Sequence, residues 1–501
     1  MTSRRFAYVV GMVVVLAASG VQADVAVQGL FSDHMVVQRD QSVPVWGTAE
    51  AGEKVTVTMA GQSVSAQTDA QGHWQVRLAA LPVGGPHQMT IAGRNTLTIN
   101  DVLVGEVCVC SGQSNMAWPL ERALEPEREI ASADLPKIRL LEVARRPFDE
   151  PQTNIDRQWQ VCTPETAKAF SAVGYFFGRE MHKALGVPIG LIDSSVGGTP
   201  AESWTPRPVL EADGDFKPIL TRWGQRIAAA RAAATQPASQ QAPGGRPAPR
   251  LEDLLKSNQR PAVLYNGMIH PLVPYAIRGA IWYQGESNAR YAYQYRKLFP
   301  AMIGAWRKAW GQGDFPFLFV QLSSWEAGQR QPYRSTWAEL REAQTMTLAL
   351  PATGMAVTTD IGDPKDIHPR NKQEVGRRLA LAARALVHGE KIPYSGPMYA
   401  AMAVEGDKIR IRFKHTDGGL AVRGEGPLKG FAIAGEDQEF IEAVAAIDGD
   451  TVVVRSEKVA HPVAVRYAWA DVPDDNLVNG AGLPASPFRT DEWPGLTANE
   501  R

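Results

Sequence analysis

Four short apolar runs, each breaking into a knot of small and polar residues, punctuate the middle of this chain, and no other feature restricts its fold as tightly. They are Asp101 to Cys110 ahead of Ser111-Gly-Gln-Ser-Asn-Met116, Gly190 to Asp193 ahead of Ser194-Ser-Val-Gly-Gly-Thr-Pro200, Arg278 to Tyr283 ahead of Gln284-Gly-Glu-Ser-Asn288, and Gly354 to Asp360 ahead of Ile361-Gly-Asp-Pro-Lys-Asp-Ile-His-Pro369. Longer amphipathic stretches separate them. That alternation is the pattern of an α/β domain with a parallel sheet. Open sheets of this kind bind ligands beyond the carboxyl ends of their strands, so the four loops should meet at one rim.

The flanks read differently. From residue 24 to 100 the chain alternates, as in Lys54-Val-Thr-Val-Thr-Met59 and Trp74-Gln-Val-Arg-Leu78, with glycine turns between the runs, which predicts a small β-sandwich. Residues 101–390 form the α/β domain. Within it an insertion falls near 205–260, where Arg226 to Arg250 is rich in Ala, Gln and Pro and unsuited to a core. Residues 391–501 return to short strands, Ile409 to Phe413 and Val452 to Arg455, and predict a C-terminal β-domain.

Residues 1–23 combine Arg4 and Arg5, an apolar run from Phe6 to about Ala18, and the small-residue ending Val21-Gln22-Ala23. This is the pattern of a cleaved secretory signal, since the run falls short of the roughly 20 apolar residues a membrane anchor needs. A secreted, periplasmic or extracellular protein with no membrane attachment after cleavage is expected. The 52 Lys and Arg balance 53 Asp and Glu, which builds no field for nucleic acid and suits a small neutral ligand better. Three cysteines, Cys108, Cys110 and Cys162, make neither a disulfide framework nor a zinc set. Cys108 and Cys110 lie two apart on one strand face, so a single Cys110–Cys162 bridge is the expectation for an oxidising compartment.

Ser114 comes after a strand and a tight glycine turn. If a helix starts there, its free N–H groups and dipole would stabilise an oxyanion beside a serine nucleophile; the plainer role for such a serine is a helix cap. The other three loops decide for chemistry. Gly197 and Gly198 can bring backbone N–H groups close to a substrate. Gln284 can donate an amide hydrogen bond. Glu286 is either a base or a buried carboxylate that fixes loops, and Asn288 shares the second role. His368 lies in an acidic, proline-bounded loop after a sheet strand, unlike His34, His73, His87 and His415, which read as surface residues. No HExxH or comparable cluster appears, so no metal or other cofactor is expected.

Taken together, Gly112-Gln-Ser-Asn-Met116, Gly197-Gly198-Thr199, Trp282-Tyr-Gln-Gly-Glu-Ser287 and Asp366-Ile-His-Pro369 resemble the sialate O-acetylesterase family of the SGNH hydrolases, over roughly 101–380. The resemblance implies an SGNH-type, flavodoxin-like three-layer catalytic domain between β-sandwich-like flanks. It implies that Ser114 attacks an acetyl carbonyl, that His368 takes the proton, and that the Ser114 N–H, the Gly198 (or Gly197) N–H and the Gln284 side chain hold the oxyanion. The common SGNH pattern has Asp three residues before His. Here that position is Lys365, which leaves Asp366 as first candidate for the orienting acid, Asp363 as second and a backbone carbonyl as third.

The implied partner is an acetylated carbohydrate, with Asn115, Glu286 and Arg290 as candidate contacts. A sialate carboxylate would call for a basic side chain, for which Arg290, Arg334 and Arg370 are available; acetylated xylan or xyloglucan fragments would not. Trp118, Trp204, Tyr283, Tyr291 and Tyr293 lie near the motifs and are either core or sugar platforms. The rival readings are a non-catalytic carbohydrate-binding protein, which leaves the four loops unexplained, and a general short-chain esterase or thioesterase. No sequence feature sets the oligomeric state.

Overall fold

The computed structural model describes residues 24–235, 250–326 and 333–500; residues 1–23, where a secretory signal is expected, lie outside them. The protein is a mixed α/β structure built on one large mixed sheet, with further β-sheets at both ends. The strands and helices that position the site are β1 (Thr96–Gly112), β2 (Leu135–Glu142), α1 (Ala172–Leu185), β3 (Ile189–Ser195), β4 (Gly279–Tyr283), α2 (Ala292–Trp310), β5 (Phe317–Val320), β6 (Thr353–Ala356) and α3 (Lys372–Leu386).

The strands run in the order β6-β5-β4-β1-β3-β2, all parallel, with a short antiparallel edge at Gln160–Cys162. β3 and β4 are fully buried and β1 is buried from Val102 to its end, which explains their unbroken apolar runs. Trp282, Phe317 and Phe319 pack on Phe299 of α2, with Trp306 joining Trp282 and Phe317. Cys108, Ile281 and Leu318 instead face Phe177 and Met181 of α1 and Ala383 of α3. The chain winds to one side of β1 through β2 and β3 and to the other through β4, β5 and β6. The reversal point, where such sheets open a crevice, therefore lies between β1 and β4.

The alternating N-terminal runs are strands with alternating burial, Lys54–Met59 and His73–Leu78. Strands Lys54–Met59 and Gly84–Ala92 pair antiparallel, and Gly84–Ala92 pairs with the first half of β1. β1 does not stop at Asn100: it passes through Asp101, held at φ 53° with its carboxylate on Arg139, and continues into the central sheet. One apolar cluster spans both parts, whereas Ile409, Val452, Phe431, Tyr467 and their neighbours form a separate C-terminal cluster. The sheet over it contains Lys408–Lys414 and Thr451–Arg455. The Ala-rich segment after Arg226 is helical as far as Thr235, the end of a helix from Lys217; residues 236–249 lie outside the described residues. Among the described residues no helix is long and apolar enough to cross a membrane.

The expected Cys110–Cys162 bridge is absent: all three thiols are free and buried. Cys110 Sγ lies under Gly174 of α1, while Cys162 donates to Ala133 O at 3.4 Å on the far edge of the sheet. Burial pushes the Cys108 and Cys162 thiols up to about 12, so both are packing residues rather than nucleophiles.

Candidate active site

The turn after β1 exists because Gly112 lets it. Gly112 adopts φ 138°, and a Cβ there would stand 2.1 Å from Tyr283 O of the adjacent strand. Gly112→Ala is expected to cost about 1–3 kcal/mol in backbone strain alone, with the clash added. A thermal melt superimposable on the wild type would show this close approach to be unimportant.

Beyond Gly112 the structure departs from the sequence expectation. No helix begins at Ser114; a turn closes through Met116 N–H and Ala117 N–H, both donating to Gln113 O at 2.9 Å. The helix dipole expected beside Ser114 is therefore missing, which leaves individual backbone N–H groups as the donors at this turn. Gly197, at the end of β3, presses on this turn, since a Cβ on it would contact Ser114 Cβ at 3.4 Å. Gly198 beside it is exposed at φ 70°, with open space around its Cα. Among the described residues none accepts from the N–H of Ser114 or of Gly198.

His368 reaches Ser114 from the loop before α3: its Nε2 lies 2.8 Å from Ser114 Oγ. Trp118 stacks on the imidazole, with ring centroids 4.8 Å apart and planes 14° from parallel. Asp366 Oδ1 accepts from the His368 backbone N–H at 2.9 Å and lies 3.5 Å from Nδ1. Asp363 turns the other way, accepting from Lys365 N–H at 2.9 Å. Burial, and then the charge of Lys372, hold the His368 imidazole below its ordinary value, partly offset by Asp366.

Gln284 is not a free donor. It is fully buried; its amide nitrogen donates to Asn288 Oδ1 at 2.6 Å and Thr199 O at 3.3 Å, and its oxygen accepts from Tyr295 O–H. Asn288 carries this brace to the β3 loop, accepting from Ala201 N–H and donating to Glu202.

Asn115 and Glu286 also face inward rather than toward a ligand. Asn115 donates to Glu286 Oε1 at 2.5 Å and to Ile367 O at 3.0 Å, and accepts from Lys372 Nζ at 2.5 Å. Burial raises the Glu286 carboxyl, opposed by its bond to Asn115 and the Lys372 charge. Arg290 is exposed and pairs with Glu500 at 3.5 Å, so it is drawn to the C-terminus. Arg370 braces the Trp118 loop through Ala123 O, and Arg334 lines a separate cavity with Trp469 and Trp493. Trp204 and Tyr283 are core, Tyr291 lies under Arg222, and Tyr293 is exposed beside Arg296.

Two participants are not visible in the sequence. Lys372, the first residue of α3, is wholly buried, and nothing separates it in sequence from any basic residue opening a helix. Trp118 reads in sequence only as a core or sugar-facing residue. Among the described residues no three His, Cys, Asp or Glu side chains assemble as a metal site.

A family model for "carbohydrate esterase, sialic acid-specific acetylesterase" matches residues 253–385. Human sialate O-acetylesterase is 31% identical, over 93% of each chain, and the rat enzyme 34% identical, over 73% of this chain and 74% of its own. Among solved structures, a carbohydrate acetylesterase of Xanthomonas citri superposes with a TM-score of 0.82 at 42% identity, covering 94% of this chain and all of that one.

Proposed function

The chain belongs to the sialate O-acetylesterase family and is a carboxylic ester hydrolase, and from that premise we propose that it deacetylates carbohydrate O-acetyl esters through an acetyl-serine on Ser114. The observation that carries this reading is the 2.8 Å contact between Ser114 Oγ and His368 Nε2 at the β1 carboxyl end.

In the proposed reaction His368 takes the Ser114 proton as Oγ attacks the acetyl carbonyl. It then hands that proton to the departing sugar oxygen, and water attacks the acetyl-enzyme with His368 again as base. The Ser114 and Gly198 N–H groups stabilise the oxyanion; one donor of this kind contributes ~2.7–4 kcal/mol. Gln284 joins them only by releasing its 3.3 Å bond to Thr199 O, and otherwise braces that loop. The strand order supports assigning the core to the SGNH type, and the 1–23 pattern supports export.

Covalent labelling separates this reading from a carbohydrate-binding module. A fluorophosphonate is expected to modify the wild type at Ser114 and to leave Ser114→Ala unmodified, whereas an unreactive wild type would sink the proposal. The sugar is read by comparing 9-O-acetylated sialic acid with acetylated xylo-oligosaccharides. Faster turnover of the sialate ester would point to Arg122 or Arg370, beside Trp118, as the carboxylate contact.

A further inference from the structure

The Ser114 turn and the His368 loop come from opposite ends of the catalytic sequence, and one amide joins them. Asn115 Nδ2 gives one proton to Ile367 O, immediately before His368, and the other to Glu286 Oε1. The amide orientation is fixed by chemistry, because the Ile367 carbonyl can only accept and must therefore face Nδ2. Lys372 Nζ closes the arrangement on Asn115 Oδ1. Its ammonium also lies 5.3 Å from the Tyr283 ring centroid and 5.9 Å from that of Trp118, the ring stacked on His368.

We propose that Lys372 is a positioning residue for this hydrolysis: anchored on Asn115, its buried ammonium clamps the nucleophile turn to the histidine loop and opposes a second positive charge on His368. The inference rests on the roles proposed for Ser114 and His368. The charged groups around the imidazole are few. Asp366 lies on its own loop, Lys372 on α3, and Glu286 on the β4 loop behind Asn115. Arg122 lies over Trp118, and both Arg122 and Arg370 are exposed, where water screens them. Lys372 is the buried cation of the set. Burial pushes its own ammonium down to about 7, with Glu286 and Asp366 opposing. It is therefore still charged at the lower pH where His368 titrates, and the two cations compete in that window.

Activity rises as His368 loses its proton, and a neighbouring cation favours that loss. Removing the cation therefore moves the acid limb of kcat/KM to higher pH. Lys372→Met and Lys372→Gln are expected to move it up by about one pH unit, the lower end of what one neighbouring charge does to a titrating group. Lys372→Arg, which cannot lose its charge, should keep the limb near its wild-type position.

The glutamine variant can still donate to Asn115, so it decides the matter if the methionine variant does not fold. An unmoved limb in a folded neutral variant overturns the proposal, as does an arginine variant that shifts with the neutral ones. Activity surviving in His368→Ala would instead remove the underlying reading of His368, whatever Lys372 does.

Discussion

Ser114→Ala is expected to lower kcat/KM for acetylated oligosaccharides and for 4-nitrophenyl acetate by roughly 10⁴- to 10⁶-fold, the scale seen when a serine hydrolase loses its nucleophile. The loss should fall on kcat. Ser114 Oγ contacts His368 and it is Cβ, kept by alanine, that faces Gly197, so removal of Oγ leaves Gly198 and the outer rim in place for binding. Stability should hardly change, because Ser114 is half-buried and its hydroxyl bonds to His368 at the rim. Turnover within tenfold of the wild type would mean that another group attacks the ester. Of the serines that end β3, Ser194 is spent on Met268 O and Ser195 on Asp193, and the three thiols are buried within the fold.

The rim itself was legible in the sequence because buried parallel strands leave unbroken apolar runs, and the polar knot after each run must lie at a carboxyl end. β1, β3, β4 and β6 all carry such runs. The direction in which each loop side chain turns is not encoded locally. Asn115, Glu286 and Gln284 are the polar residues one would aim at a substrate, yet Asn115 and Gln284 spend their hydrogen bonds inward and Glu286 gives its Oε1 to Asn115. The reason is density: four loops packed against one another need internal bonds to satisfy their buried polar groups before any can be offered to a ligand.

The same limit explains two other departures from expectation. The expected division of the chain between Asn100 and Asp101 falls inside one strand, because Asp tolerates positive φ, so the strand bends there and carries on. The Cys110–Cys162 pairing assumes that the two side chains approach, whereas one lies under α1 and the other at the sheet edge.

The orienting acid gives the second large effect, and its size discriminates between a triad and a dyad. With Nε2 facing Ser114 Oγ, the working tautomer carries its proton on Nδ1, and Asp366 is the carboxylate beside that nitrogen. Its side chain is 49% exposed, so solvent weakens its hold compared with a buried triad acid, whose loss costs about 10⁴-fold in kcat. Asp366→Asn is accordingly expected to reduce kcat by about 10²-fold, below that buried reference. Asp363→Asn, which alters only the loop's own bond to Lys365 N–H, should stay within about threefold, as surface changes do.

The pH profile supplies an independent sign. The Asp366 charge raises the His368 imidazole against burial and Lys372, so neutralising it should move the acid limb of kcat/KM to lower pH, opposite to the shift expected for neutral Lys372 variants. Equal, mild losses for both aspartates with an unmoved limb would make this site a Ser114–His368 dyad, with a backbone carbonyl or water holding Nδ1.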